Sequence, residues 1–220
     1  NLFTYSAQLH NGSVFTSKIS CTITPSADVL SPDGLLSVSA FKRTSAATSF
    51  ALQTTNIASG VAITLSLYVR RLDCDYVSLR LQGYLTYIDQ ANAVFNLATG
   101  TITQAATIAG AYTSPIATIT FVGGGWYRIT LTATTNADLL ARTIVSFSDQ
   151  NSRVDGGSTV ATCGGYIWGA QLELGAFPTS YIPTPATFTG RASTATYLDA
   201  NGVLQTAASG VARSAAYGYD

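Results

Sequence analysis

Residues 166–184 read YIWGAQLELGAFPTSYIPT, an alternating run that ends in an abrupt, proline-marked stop. Tyr166, Trp168, Ala170, Leu172 and Leu174 fall on one side of an extended chain, and Ile167, Gly169, Gln171 and Glu173 fall on the other. That is the period-two pattern of a strand. Gly175 ends it. Phe177-Pro178 and Ile182-Pro183 then bracket a short extended segment, because each residue before a proline is pushed toward β or polyproline geometry.

The same pattern recurs upstream. Val61, Ile63, Leu65, Leu67 and Val69 alternate with Ala62, Thr64, Ser66, Tyr68 and Arg70, which predicts a half-buried strand over residues 61–70. Further strands are expected around 19–23, 36–41, 50–52, 76–82, 84–88, 94–97, 101–103, 116–122, 126–134 and 143–148. In the strand over 126–134, Tyr127, Ile129, Leu131 and Ala133 share a face. The Ala-rich run at 104–111 is too short for a helix and is interrupted by Thr107, Ile108 and Gly110. About ten short strands between Gly, Asn, Asp and Pro turns, with no convincing helix, predict an all-β sandwich or barrel. After Thr184 apolar residues become sparse and aperiodic. The expected organisation is one domain over 1–184 and an extended linker or assembly tail over 185–220.

Composition narrows the class. At 220 residues the chain is long enough to bury a substantial core. Charged residues make up 10% of it, against about 25% in ordinary globular chains. The surface is therefore hydroxyl-rich rather than ionic. Eleven basic and eleven acidic residues balance to zero and are scattered mostly singly, so nucleic acid and anionic membranes are not expected partners. The longest apolar runs are of strand length, short of the roughly 20 residues of a membrane helix. No methionine occurs, so the expectation is a piece excised from a longer chain. Cys21, Cys74 and Cys163 are odd in number and far apart, and are expected to be small buried hydrophobes made in a reducing cytosol.

Several of these stretches carry a resemblance. WGAQLELGAFPTSYIPT, followed by Thr189-Gly190-Arg191-Ala192, resembles the closing signature of lectin-like (concanavalin A-like) jelly-roll, carbohydrate-binding-module-like domains of bacteriophage tail and fibre proteins. The opening NLFTYS, the GGWYR run at 124–128 and, more weakly, FNLATG at 95–100 resemble the same family, so the likeness spans residues 1 to about 192. It implies a jelly-roll β-sandwich of two antiparallel sheets, with Trp126, Arg128, Trp168, Gln171, Glu173 and Tyr181 as structural motif residues. It also implies a non-enzymatic bacteriophage virion protein: a tail fibre, tail or head appendage assembled in the host cytoplasm and displayed extracellularly. The expected partners are other virion proteins, a homotrimer of the chain itself and host surface polysaccharide. The alternative is a carbohydrate-binding module of a polysaccharide-degrading enzyme.

The side chains offer little for catalysis. A glycosidase requires two carboxylates about 5 to 9 Å apart. Glu173 is the sole glutamate and has no acidic neighbour two or four residues away, which makes it a weak candidate for a depolymerase. The sole histidine, His10, adjoins an Asn-Gly turn with no nucleophile motif. No cofactor is expected. Calcium is the one metal with candidate ligands, Asp73 and Asp75, and with Asp28 and Asp33 as a second pair, although neither pair makes a dense oxygen loop. Sugar binding requires aromatic faces and planar polar groups. Tyr76, Arg80 and Gln82 on one strand and Tyr84 and Tyr87 on the next form the candidate patch; the competing reading has these tyrosines filling an inter-sheet core or a subunit contact.

Overall fold

A computed structural model describes residues 1–184, apart from 4, 13, 86, 136–139 and 152–155, together with 195–198 and 204–207. It is an all-β sandwich of two six-stranded antiparallel sheets. The chain divides into two compact units, Asn1–Pro185 and Ala186–Asp220.

In chain order the strands of the first unit are β1 (Ser17–Ile19), β2 (Cys21–Pro25), β3 (Ser39–Arg43), β4 (Phe50–Asn56), β5 (Ala62–Arg71), β6 (Tyr76–Gly83), β7 (Gln90–Asn96), β8 (Thr101–Ala109), β9 (Thr113–Gly123), β10 (Trp126–Thr134), β11 (Leu140–Ser148) and β12 (Gly164–Leu174). Sheet A has the order β1-β4-β11-β6-β7-β8, and sheet B the order β2-β3-β12-β5-β10-β9. The inner eight strands, β4-β11-β6-β7 facing β3-β12-β5-β10, have the strand order of a jelly roll. The hairpin-like excursion through β8 and β9 extends both sheets along one side. On the other side a single expected strand is split: Ser20 sits at φ 49°, and the chain there passes from β1 in sheet A to β2 in sheet B.

Alternation places the core. Ile63, Leu65, Leu67 and Val69 of β5, Val77, Leu79 and Leu81 of β6, Ile129 and Leu131 of β10 and Val145 and Phe147 of β11 form one buried cluster between the sheets. Burying each such side chain contributes about 1.5–3 kcal/mol. Arg43 is buried with them, and its guanidinium donates to the carbonyls of Phe147, Gly156, Ser45 and Ala47. It ties two loops to the end of β11.

The strand over 166–174 corrects its own sequence pattern. Trp168 pairs with Tyr68, but Gln171 pairs with Ser66, so Gly169 and Ala170 oppose Leu67 alone. This is a β-bulge, with Gly169 in the left-handed region at φ 61°. The bulge switches the parity of the strand. Ile167, Ala170 and Leu172 face the inter-sheet core, while Tyr166 and Trp168 join Gln171 and Glu173 on the outer face. Leu174, which alternation puts on the side of Ala170 and Leu172, is exposed.

The cysteine expectation also needs correction. Cys74 and Cys163 form a disulfide with Cα atoms 5.2 Å apart, and only Cys21 is a buried free thiol. The β5–β6 turn lies against the start of β12, where Cys74 N donates to Gly164 O at 3.0 Å; this contact joins two segments 89 residues apart that no local spacing relates.

The segment 185–220 was expected to be extended. It contains two strands, β13 (Ala195–Leu198) and β14 (Leu204–Ala207), which pair antiparallel from Ala195↔Ala207 to Leu198↔Leu204. An Asn-Gly dipeptide, a strong hairpin signal, stands at 201–202 in the sequence between them. The matching stretch 189–192 lies outside the described residues.

Candidate functional site

The outer face of sheet B is closed by the chain itself. The segment after β12 folds back over it, anchored chiefly by side chains of the motif stretches. Arg128 donates to Thr179 O at 2.6 Å and to Ser66 Oγ at 3.1 Å, and its guanidinium lies 5.5 Å from the Tyr68 ring centre. Gln171 donates to Ser180 O at 3.1 Å and accepts from Ile182 N at 2.7 Å. Glu173 accepts from Thr179 N at 3.1 Å and from the Thr179 hydroxyl. Burial pushes the Glu173 carboxyl up, but hydrogen bonds from the Thr179 hydroxyl, the Gln171 side chain and the Thr179 N–H outweigh it and hold the group below its ordinary value. The lone glutamate fastens a strap.

The N-terminal segment completes the closure. The Tyr181 hydroxyl shares a 2.8 Å hydrogen bond with Ser6 Oγ, Thr184 Oγ1 donates to Phe3 O at 2.6 Å, and Asn1 Nδ2 donates to Ile182 O at 3.0 Å. Beneath the strap Trp126, Trp168, Val29 and Val38 form a second buried cluster with Tyr68 and Tyr181 against it. Trp126 Nε1 donates to Leu30 O at 3.0 Å and Trp168 Nε1 to Ser37 Oγ at 2.8 Å. Both tryptophans are thus packing residues outside the inter-sheet core.

Sheet A presents the opposite outer face, and its register assembles the sugar-patch candidates. One cross-strand row is Thr54, Arg142, Gln82 and Gln90; the next is Leu52, Ile144, Arg80, Asn92 and Thr107. Tyr84 and Tyr87 lie not on a further strand but in the β6–β7 loop, which also exposes Leu85 and Ile88. Gln82 Nε2 donates to Tyr87 O at 2.8 Å and Tyr84 N to Leu140 O at 3.2 Å, so Gln82 holds the loop rather than facing solvent. Arg80 Nε donates to Asn92 Oδ1 at 2.9 Å. Tyr76 is apart from the rest: it sits six residues along β6 from Gln82, about 20 Å at strand rise. Between them Ser78, Val94 and Ser146 are buried, and the loop after β11 approaches this part of the face through Thr103 Oγ1 to Asn151 O and Ser148 Oγ to Gly157 O.

The residue missing from the sequence reading is Arg142. Its guanidinium lies 4.7 Å from the Tyr84 ring centre and 4.5 Å from that of Tyr87, and donates to the Tyr87 hydroxyl at 3.4 Å. These are cation–π distances. No local signal marks it, since β11 is brought beside β6 only by the sheet topology. Tyr84, Tyr87 and Arg142 therefore form a fixed aromatic and cationic group at one end of the sheet A face.

The candidate calcium ligands turn to protein partners. Asp73 Oδ1 accepts from Gly164 N at 2.6 Å, and Asp75 pairs with Arg71 at 2.5 Å. Asp33 Oδ1 accepts from Ser31 Oγ and from Leu35 N. His10 is hydrogen-bonded to Ser39 Oγ through both its N–H and Nδ1, and burial holds its pKa below the ordinary value. Among the described residues no three His, Cys, Asp or Glu side chains converge as a metal site would require. No protein-family model matches the chain, and no curated protein matches it either.

Proposed function

We propose that this chain is a non-enzymatic structural module of a bacteriophage virion, in a tail fibre, tail or head appendage. It assembles as a homotrimer and attaches to host surface glycans. The observation that carries the binding half is the Tyr84, Tyr87 and Arg142 group at the end of the row Thr54, Arg142, Gln82 and Gln90 of sheet A. Tyrosine rings stack on the apolar faces of pyranose rings, and a guanidinium bonds planar sets of hydroxyls. Tyr87 is 58% exposed, so its ring is open to a ligand.

The non-enzymatic half is supported by the employment of the acids. Glu173 is consumed by the strap, and the patch brings together no carboxylate pair among the described residues. The virion assignment rests on the resemblance of the strap, the N-terminal segment and the GGWYR run to phage tail and fibre modules, and on a surface poor in charge.

Titration of the chain with host surface polysaccharide tests the reading. Tyr87→Ala and Arg142→Ala are expected each to weaken binding by about two- to thirtyfold, since stacking and cation contacts are each worth about 0.5–2 kcal/mol, and no shortened product should appear. Unchanged binding in both variants would remove the patch, and cleavage would remove the non-enzymatic assignment. The carbohydrate-binding-module alternative would use the same patch; it is separated by context, since a virion module is recovered with particles.

A further inference from the structure

The two sides of the sandwich end differently. On one side the edge strands are blunted: β1 has three residues with Lys18 at its centre, β2 has five and closes on Pro25, and Ser20 kinks the chain between them. Short edges, lysine, proline and local irregularity are the devices by which sheets avoid pairing with other chains. On the other side β8 has nine residues and β9 eleven, and the sequence from 90 to 127 contains no Asp, Glu, Lys, Arg or His.

β9 is the longer of the two. Pro115 interrupts its start, but residues 116–122, IATITFV, have high β propensity and neither proline nor charge. Ile116, Phe121 and Val122 are exposed, at 55%, 60% and 43%. Among the described residues β9 pairs only with β10, leaving its other edge as a row of backbone donors and acceptors about 23 Å long at strand rise.

We propose that this edge is the contact through which the chain joins further copies of itself, β9 adding to β8 of a neighbour, a head-to-tail pairing that can close a ring of three. An unpaired row of N–H and C=O groups is completed by another strand. The absence of charge selects which strand. A charged ligand would find no counter-charge here, whereas an Ile/Thr strand meeting its own like suffers no repulsion, and the chain's zero formal charge adds none at longer range. The inference deepens the assembly half of the proposed function and is independent of glycan binding.

The test is light scattering of the full chain across a concentration series. Ile116→Lys/Val122→Lys places two like charges on exposed edge positions, and Thr22→Lys/Thr24→Lys does the same on the blunted edge, with far-UV circular dichroism checking the fold. The expected result is an oligomer for the wild type and the β2 variant, and the 22.9 kDa monomer for the β9 variant. If the double β9 variant does not fold, Ile116→Glu alone carries the same test. A wild type that is monomeric throughout, or a β9 variant that assembles like the wild type, overturns the inference. An oligomer untouched by the β9 lysines leaves the virion reading standing with a different interface. Loss of glycan binding by an intact wild-type oligomer would refute the binding reading and leave this one in place.

Discussion

The Cys74–Cys163 bond closes a loop across 89 residues, from the start of β6 to the start of β12, and so encloses strands of both sheets. In the chain-entropy treatment, a loop of that size restricts the unfolded chain by about 4.6 kcal/mol at 25 °C. Both cysteines are buried, at 0% and 4% exposure, so Cys74→Ala/Cys163→Ala leaves no polar group unpaired and the loop term dominates the loss. In a domain of this size each kcal/mol moves the melting temperature about 2–4 °C, which converts the loss to a fall of roughly 9–18 °C. Thermal and urea unfolding of the wild type with and without reductant, and of the double variant, measures it. A thiol count gives the second readout. Denatured, unreduced protein should show one reactive thiol and reduced protein three, while Cys21, whose thiol burial pushes up to about 11, should stay silent in the folded state. Three thiols without reduction, or a double variant within about 1 kcal/mol of the wild type, a difference typical of an unremarkable point mutation, would refute the cross-link.

Two further outcomes follow from the packing. Glu173 holds its proton less tightly folded than unfolded, so its contribution is present above the unfolded glutamate value near 4.3 and is lost as pH falls through the lower folded value; acid titration of stability should show a drop there that Glu173→Gln flattens. Gly165 faces the Phe147 ring so closely that a Cβ would lie 2.1 Å from it, and that ring is buried against Phe41 at 5.2 Å; Gly165→Ala should therefore cost about 1–3 kcal/mol in urea unfolding.

The inter-sheet core was legible because alternation in β5, β6 and β10 is set locally by which side chains flank each peptide. The faces of β12 were not, although a glycine inside a strand pattern is itself a bulge signal: Gly169 shifts the register by one, and every later side chain changes sides. The disulfide was illegible for another reason, since its partners are joined only by the folded topology. The sugar patch was half legible. Tyr84 and Tyr87 could be picked from composition, but the arginine between them comes from β11, and Gln82, which alternation rightly turned outward, serves the loop instead of a ligand.

The stretches most recognisable in sequence are those with the least freedom to bind anything. Asn1, Phe3 and Ser6 at one end and Gln171, Glu173, Thr179, Tyr181 and Thr184 at the other spend their polar atoms on each other or on neighbouring backbone, so each is specified by the strap's own geometry. The groups left open to a partner, the exposed side chains of the β6–β7 loop and the outer edge of β9, lie outside those stretches, and the loop is held by Gln82 and Arg142 rather than by the strap. A module built this way can exchange its ligand or its neighbour by changing the loop or the edge strand while the strap keeps the sandwich closed. Grafting a different 84–88 loop should therefore alter glycan preference at little cost in stability, whereas Tyr181→Ala, which removes the Ser6 hydrogen bond and a ring packed 4.5 Å from Trp168, should destabilise the fold and leave the patch chemistry unchanged.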